Sequence, residues 1–468
     1  MESAAPRTAS LRGAPLQALA LGLQYSCALL DGGAVKCWGS DEYGVLGRDG
    51  PRQDVADPST IEPIDFGTSR QVVRVSAGWH HACVLFDDGK ARCWGHNDRG
   101  QLGRQSRDDY GDDPGESLST EEDLPLDHIL DISAGVSNTC AIIAPQGARV
   151  GNVHCWGSDT NGGIGDTDSG DFGDDEALTV LRPVALDGQL ARSVVVGDSV
   201  GCALLEDGDV RCWGNNAWGT LGTNIDCNIG DERVCEGTTE PRPIRSVQGL
   251  GEAFITSLYL NQAHACALDN TGALRCWGRN DESRAGYPEA RLGNKLGQTP
   301  GRVNLGADAS VVQVGLGTRH GCALDARGGV RCWGEAGPQL GYGQMQNNDI
   351  AGIGGTLEPG EQYAQMDGSG LVQLVTSDEA ASAEGAPRVS QLFVGGFHAC
   401  AILGRAGTFA GLRCWGHNEL GELGYGSYER VGNIGATDSP AREYEQRLDH
   451  PDVCVVRSAD GPCARGRG

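Results

Sequence analysis

Short apolar runs broken by glycine and acidic turn residues recur along the chain. In the stretch that begins at Cys27, Cys-Ala-Leu-Leu reads as strand and Asp31-Gly32-Gly33 as turn. Ala-Val-Lys-Cys-Trp-Gly, ending at Gly39, reads as strand again. Relatives of this stretch begin at Cys83, Cys140, Cys202, Cys266, Cys322 and Cys400. They end in Cys-Trp-Gly at Cys93, Cys155, Cys212, Cys276, Cys332 and Cys414, the first copy doing so at Cys37. Successive starts lie 56, 57, 62, 64, 56 and 78 residues apart. Seven all-β units at such a period predict a propeller, since a single unit cannot bury its own faces and must stack on its neighbours.

Local turn chemistry supports a hairpin in each copy. Five copies space their cysteines ten positions apart and place Gly33, Gly89, Gly208, Gly272 or Gly328 six residues after the first cysteine. A three-residue loop ending in a left-handed glycine is a type I turn with a bulge. That register sets the two cysteines directly opposite each other on antiparallel strands. The third and seventh copies have longer tips, at 145–152 and 404–411. A further strand precedes each hairpin, as at 71–77, 194–196 and 311–314, and usually runs into a glycine (Gly22, Gly78, Gly135, Gly197, Gly317). After Trp-Gly come a tight turn, a polar loop and a proline-containing segment such as Glu62-Pro63-Ile64 or 241–244. Proline is tolerated on an edge, so this segment is predicted to be a fourth, outer strand.

The predicted fold is therefore all-β: a seven-bladed β-propeller of four-stranded antiparallel blades. Its ring is expected to be closed by the C-terminal segment, supplying the outer strand missing from blade one and removing an open edge. The predicted organisation is a disordered N-terminal segment over 1–14, the propeller over 15–445 and a disulfide-tied tail over 446–468.

The motif Gly-x-x-His-x-Cys-Ala-Leu, followed by Gly-x-Val-Arg-Cys-Trp-Gly-x-Asn-x-x-Gly-x-Leu-Gly, resembles the regulator of chromosome condensation repeat. The resemblance covers about residues 15 to 440 and recurs seven times. It implies the propeller strongly and function weakly. The family includes nucleotide exchange factors, ubiquitin ligase modules and a secreted bacterial inhibitor of β-lactamase, and a fold does not carry function with it. The paired cysteines are similar to the bacterial secreted branch.

All 18 cysteines fall into local pairs. Seven are the hairpin pairs; Cys227 with Cys235 and Cys454 with Cys463 complete the set. An even count in regular placement predicts disulfides, whereas a zinc site needs four converging ligands and each blade offers two sulfurs. Disulfides place the chain in an extracytoplasmic compartment (secreted, periplasmic or cell surface), although no signal peptide is visible in it. No apolar run approaches the roughly 18 residues of a membrane-spanning helix. The net charge, 37 basic against 63 acidic residues or −26, speaks against nucleic-acid binding.

Several residues carry candidate chemistry. His81, His264, His320 and His398 recur two positions before the first cysteine, with Tyr25, Asn138 and Val200 as counterparts. Recurrence favours a scaffold role over a metal ring. The Gly-Asp-Ser-Val-Gly run at 197–201 matches a nucleophile elbow but lies in a β context, where that motif has no meaning. The acidic loop containing Asp166, Asp168, Asp171 and Asp174 is a candidate Ca²⁺ site, although its spacing is not that of an EF-hand; otherwise no cofactor is expected. Asp108, Asp109, Asp112 and Asp113 form a weaker cluster.

Connections in a meander alternate between faces. The inner turns and the long loops after Trp-Gly therefore share one face, and long loops on a rigid scaffold commonly carry function. On that face the candidates are Tyr43, Trp79, His80, Arg99, Asp198, Trp218, Arg319 and Phe397. Trp79 and Trp218 occur in single copies, unlike the scaffold tryptophans, and aromatic and arginine side chains commonly anchor interfaces. The leading expectation is a monomeric, non-catalytic scaffold binding a protein or a surface glycan. The alternatives are a metal-assisted enzyme at the channel mouth, around His80 and the acidic loops, and a cytosolic GTPase regulator with reduced cysteines.

Overall fold

A computed structural model describes residues 16–166, 170–223, 225, 227–229, 243–252, 254–287, 291–292, 300–306, 309–342, 371–372, 374–375, 386–405 and 408–428. The expected segments 1–14 and 446–468, Asp168, Cys235, Cys454, Cys463 and most of the loop between Gly341 and Arg388 lie outside these residues.

Seven antiparallel sheets follow one another along the chain. Blade one holds β1 (Leu16–Leu21), β2 (Tyr25–Leu30) and β3 (Val35–Gly39). Blade two holds β4 (Val72–Ala77), β5 (His81–Phe86) and β6 (Ala91–Gly95), and blade three β7 (Ile129–Ala134), β8 (Asn138–Ile143) and β9 (Asn152–Gly157). Blade four holds β10 (Ala191–Val196), β11 (Val200–Leu205) and β12 (Val210–Gly214). Blade five holds β13 (Ile255–Asn261), β14 (His264–Asp269), β15 (Leu274–Arg279) and the short β16 (Arg291–Leu292). Blade six holds β17 (Val311–Leu316), β18 (His320–Asp325) and β19 (Val330–Gly334), and blade seven β20 (Arg388–Val394), β21 (His398–Arg405) and β22 (Thr408–Gly416). The innermost strand of each blade lies against that of the next, and β20 lies against β1. This is the seven-bladed propeller that the repeat predicts.

The hairpins have the predicted register. Leu30 N–H donates to Ala34 O and Gly33 N–H to Leu30 O, with Gly33 at φ +83°. Cys27 faces Cys37, and the six other hairpin pairs face each other likewise. All seven pairs are disulfides, with Cα atoms 4.0 or 4.1 Å apart. Cys227 is also disulfide-bonded, and no described cysteine is free.

The fourth strand departs from expectation. Among the described residues, only blade five has one, β16, two residues long. Elsewhere the outer segment touches the third strand at separated points. Near the long loops, Val55, Tyr110, Phe172 and Ile229 form isolated bridges to Gly39, Gly95, Gly157 and Gly214. Near the hairpins, one backbone bond recurs: Ile64, Leu124, Val184, Val247, Val303 and Val372 donate to Val35, Ala91, Val153, Val210, Leu274 and Val330. Pro63, Pro125 and Pro183 stand beside three of these donors, at positions whose N–H would face outward from the edge. Near the hairpin of blade four the touching residues are Ser246 and Val247, C-terminal to the expected 241–244, of which 243 and 244 are described. Ile64, from blade one's own loop, already fills the outer position of that blade. The expected closure by a C-terminal strand is therefore not needed there, and that segment lies outside the described residues.

Side chains join the blades. The seven repeat tryptophans are all fully buried. Each donates its indole N–H to a turn carbonyl of the preceding blade: Trp94 to Val45, Trp156 to Gln101, Trp213 to Gly163, Trp277 to Thr220, Trp333 to Arg284 and Trp415 to Gln339. Trp38 donates to Glu422 O at 3.0 Å and so ties blade one to blade seven.

Candidate functional site

The inner turns and the Trp-Gly loops share one face, as the topology requires. In every blade the first residue after Trp-Gly donates its backbone N–H to an inner-turn carbonyl, as Ser40 does to Gln24 and His96 to His80. Around the channel mouth the inner turns bond to one another: Trp79 N–H to Gly135 O, Val136 to Gly197, Asp198 to Gln262, Thr318 to Gly396 and Gly396 to Gly22. This close approach requires glycine, since a Cβ on Gly78 would lie 2.3 Å from Gly135 O. Side chains span the two remaining junctions, Tyr25 Oη–H to Gly78 O between blades one and two and Asn261 Nδ2 to Leu316 O between blades five and six.

On this frame three positions come together between blades one and two and between blades five and six, and one or two of them make contacts at the other boundaries named: the third residue of the inner turn, the residue after Trp-Gly, and the turn-tip residue of the preceding blade. Between blades one and two they are His80, His96 and Tyr43. The Tyr43 ring centroid lies 4.1 Å from His96 and 5.3 Å from His80, and His80 Nδ1 is 3.8 Å from Glu42. Trp79 stands edge-on to His80. Between blades two and three, Arg99 reaches Asp171 at 3.2 Å. Between blades three and four, Asn161 accepts from Asn228 Nδ2. Between blades four and five, Arg279 lies 4.6 Å over the Trp218 ring. Between blades five and six, Arg319 pairs with Glu335 at 2.9 Å and Glu282 at 3.5 Å. In blade seven, Phe397 stacks on His417. The geometry repeats while the chemistry changes.

The structure therefore brings Tyr43, Trp79 and His80 together and adds His96 and Glu42, which the sequence reading missed. Arg99, Trp218, Arg319 and Phe397 fall at other boundaries of the same face, and Asp198 is exposed on the rim beside Ser199. Register offered a signal for His96 and Arg279: both immediately follow a Trp-Gly pair.

The acidic-loop candidates have other work. Asp171 accepts the backbone N–H of Asp159, just as Asp54 accepts from Asp41 and Asp109 from Asn97. It therefore belongs to a repeated turn brace, as does Asp109 of the weaker cluster. Asp174 accepts from Arg107 Nε at 2.8 Å. Asp166 lies apart from the only group of three approaching carboxylates among the described residues, Asp174, Asp175 and Glu176.

The four recurrent histidines are fully buried between blades. His81 Nε2 meets Thr139 Oγ1 at 2.9 Å and His398 Nε2 meets Ser26 Oγ at 3.0 Å, each partner lying in the next blade. Where the next blade carries Gly321 or Ala399 at that position, His264 and His320 have no hydrogen-bond partner on either ring nitrogen among the described residues. Burial holds all four imidazoles down to about 3. The Gly-Asp-Ser-Val-Gly run forms the turn between β10 and β11, so it is no strand-to-helix elbow.

A propeller of contiguous cysteine-bonded blades, joined head to tail by tryptophans, is the class of protein these features define. The chain carries regulator of chromosome condensation (RCC1) repeats, matched at residues 17–45, 33–85, 72–101, 191–217, 255–284 and 311–344. It is 28% identical over 383 residues to the ultraviolet-B receptor UVR8 of Arabidopsis thaliana, covering 72% of this chain and 80% of that protein. It is 27% identical over 318 residues to the probable E3 ubiquitin-protein ligase HERC4 of Mus musculus, covering 67% of this chain but only 26% of HERC4. Among solved structures, yeast RCC1 (Prp20) bound to Kap60 superposes with a TM-score of 0.60 at 19% identity, covering 81% of this chain and 78% of that one. Human WBSCR16 gives 0.60 at 17% identity, covering 88% and 92%. No helix among the described residues is long and apolar enough to cross a membrane.

Proposed function

We propose that the chain is a non-catalytic binding scaffold of an extracytoplasmic compartment that recognises a protein partner through its long-loop face. The observation that carries this reading is the set of blade-boundary positions, where one backbone frame presents unrepeated aromatic, cationic and anionic side chains. Tyr43, Trp79, Trp218 and Phe397 are half-buried there, each held by a neighbouring ring, cation or backbone bond. Ordered aromatic and arginine side chains lose little freedom on binding, which suits them as anchors. Seven disulfides support the compartment, since such bonds persist where the surroundings oxidise. They weigh against a cytosolic GTPase regulator. The metal-assisted alternative is weakened because Asp171 and Asp174 are engaged by Arg99 and Arg107.

The test is a capture experiment from the native secretome, with the wild type and Trp79→Ala, Trp218→Ala and Phe397→Ala variants as bait. Loss of a captured partner by about thirtyfold or more is expected for at least one variant, from a cost of about 2 kcal/mol per anchor. Unchanged capture by all three folded variants removes this face. A glycan array run with the same proteins separates a surface glycan from a protein partner.

A further inference from the structure

We infer that the boundary between blades one and two is a docking subsite for an arginine side chain of the partner protein. The inference rests on the loop-face reading for its partner, while the subsite itself is measured with a small probe. The chain supplies its own template. At the boundary between blades four and five, Trp218 is the turn-tip residue, Arg279 follows Trp-Gly, and Asp281 comes two residues later. The Arg279 guanidinium lies over the Trp218 ring and forks onto the Asp281 carboxylate, with Nε to Oδ1 at 2.8 Å and Nη2 to Oδ2 at 2.7 Å. At this point of the repeat frame, an aromatic face and a carboxylate are held as a guanidinium takes them.

Blades one and two carry the same two groups without the arginine. Tyr43 stands in the place of Trp218 and Asp98 in the place of Asp281, but the Arg279 position holds His96. Its imidazole packs on Tyr43, with Nδ1 3.6 Å from Asp98 Oδ1. Glu42, where blade four has Ala217, adds a second carboxylate. Glu42 and Asp98 are both half-exposed. Glu42 faces the His80 imidazole at 3.8 Å, and no lysine or arginine pairs with it among the described residues. Burial holds His80 below its ordinary value, so at neutral pH it leaves the Glu42 charge unbalanced. Asp98 keeps Arg99 Nε at 3.7 Å on its other oxygen, but that guanidinium is directed to Asp171. Burial, then the carboxylates of Glu42, Asp109 and Asp98, raise the Tyr43 hydroxyl, which places three anions around the ring. A planar guanidinium laid on Tyr43 donates to Glu42 and Asp98 together, whereas an ammonium offers the charge without the plane.

The experiment is a nuclear magnetic resonance titration of Nα-acetyl-arginine amide into the full, disulfide-intact chain carrying isotope-labelled histidine, at about pH 8, where imidazoles are neutral. The His80 and His96 ring signals are expected to shift to saturation. Those of the buried His81, His264, His320 and His398 are expected to stay fixed and so report the fold. Nα-acetyl-lysine amide should bind at least about threefold more weakly, and the uncharged citrulline analogue should not saturate. Glu42→Gln should weaken arginine binding at least about threefold, and should lower partner capture by a similar factor. His96→Arg rebuilds the blade-five arrangement in blade two and should abolish the His80 shift. The inference is overturned by the absence of a saturable shift with the arginine probe, by citrulline binding equal to arginine, or by an unchanged His80 shift in folded His96→Arg. Unchanged capture by Glu42→Gln where Trp79→Ala loses the partner also overturns it, and leaves the loop-face reading standing.

Discussion

Acid should loosen this ring through its four buried histidines, and the size of the effect follows from their surroundings. His81, His264, His320 and His398 are fully buried, and burial holds each imidazole down to about 3 against an ordinary value near 6.5. The unfolded chain then binds more protons than the folded one between those values. Stability is fully present above about pH 6.5 and falls as the pH drops below it. At pH 5.5 the loss is roughly 1–2 kcal/mol per histidine, or on the order of 5 kcal/mol for four. Burial also lowers His80 and His154, which act in the same direction. Asp131, raised by burial, acts in the opposite direction; Asp123, held low by Arg70 and Arg92, and Asp269, held low by the Thr271 hydroxyl, the Ala273 N–H and Arg275, each against its burial, lose stability on acidification. These carboxylates matter only near and below their ordinary range of about 4. Urea unfolding followed by tryptophan fluorescence at pH 7.5, 6.5 and 5.5, without reductant, isolates the histidine window. His264→Gln should reduce the pH slope by about a quarter, since neither of its ring nitrogens has a partner to lose among the described residues. A wild-type slope below that of one histidine, or an unchanged slope in the variant, refutes the reasoning.

Other outcomes follow from the joints. Trp277→Phe leaves Thr220 O without its indole donor and should cost about 1–3 kcal/mol in urea unfolding, whereas Trp38→Phe should cost only about 1 kcal/mol because Glu422 O keeps Ser26 Oγ at 2.8 Å. Replacing Cys322 and Cys332 together by alanine should lower stability by about 2–3 kcal/mol, the range for a short closed loop, and an unchanged urea midpoint would count against it. Thiol titration of the denatured, unreduced chain should find almost no free thiol; a count near 18 would contradict the oxidised state.

The sequence exposed the hairpins well because their determinants are local: a cysteine, a left-handed glycine and a second cysteine within ten residues. It exposed the shared face too, because strand alternation alone sets it. The broken outer strand was harder to read, since Pro63 and its equivalents marked an edge while the number of ladder bonds to the third strand was not visible. Contacts across blades were the least legible. Arg99 and Asp171 lie 72 residues apart in the chain, and only a register aligned over all seven copies pairs Tyr43 with His96. The same alignment separates Asp171 as a repeated brace from a Ca²⁺ ligand, a distinction that spacing within one loop does not offer.

In the six blades whose outer segment is described, every strand of a blade comes from one uninterrupted stretch of chain. The unit that folds is therefore also the unit that a duplication event copies. Each new copy arrives with a tryptophan donor on one side and a turn carbonyl on the other, so it fits between any two existing neighbours. Growth or loss of such a protein proceeds by whole blades, with ring circumference as the quantity that changes. The same contiguity makes every inter-blade loop an equivalent place to open the chain and rejoin its ends.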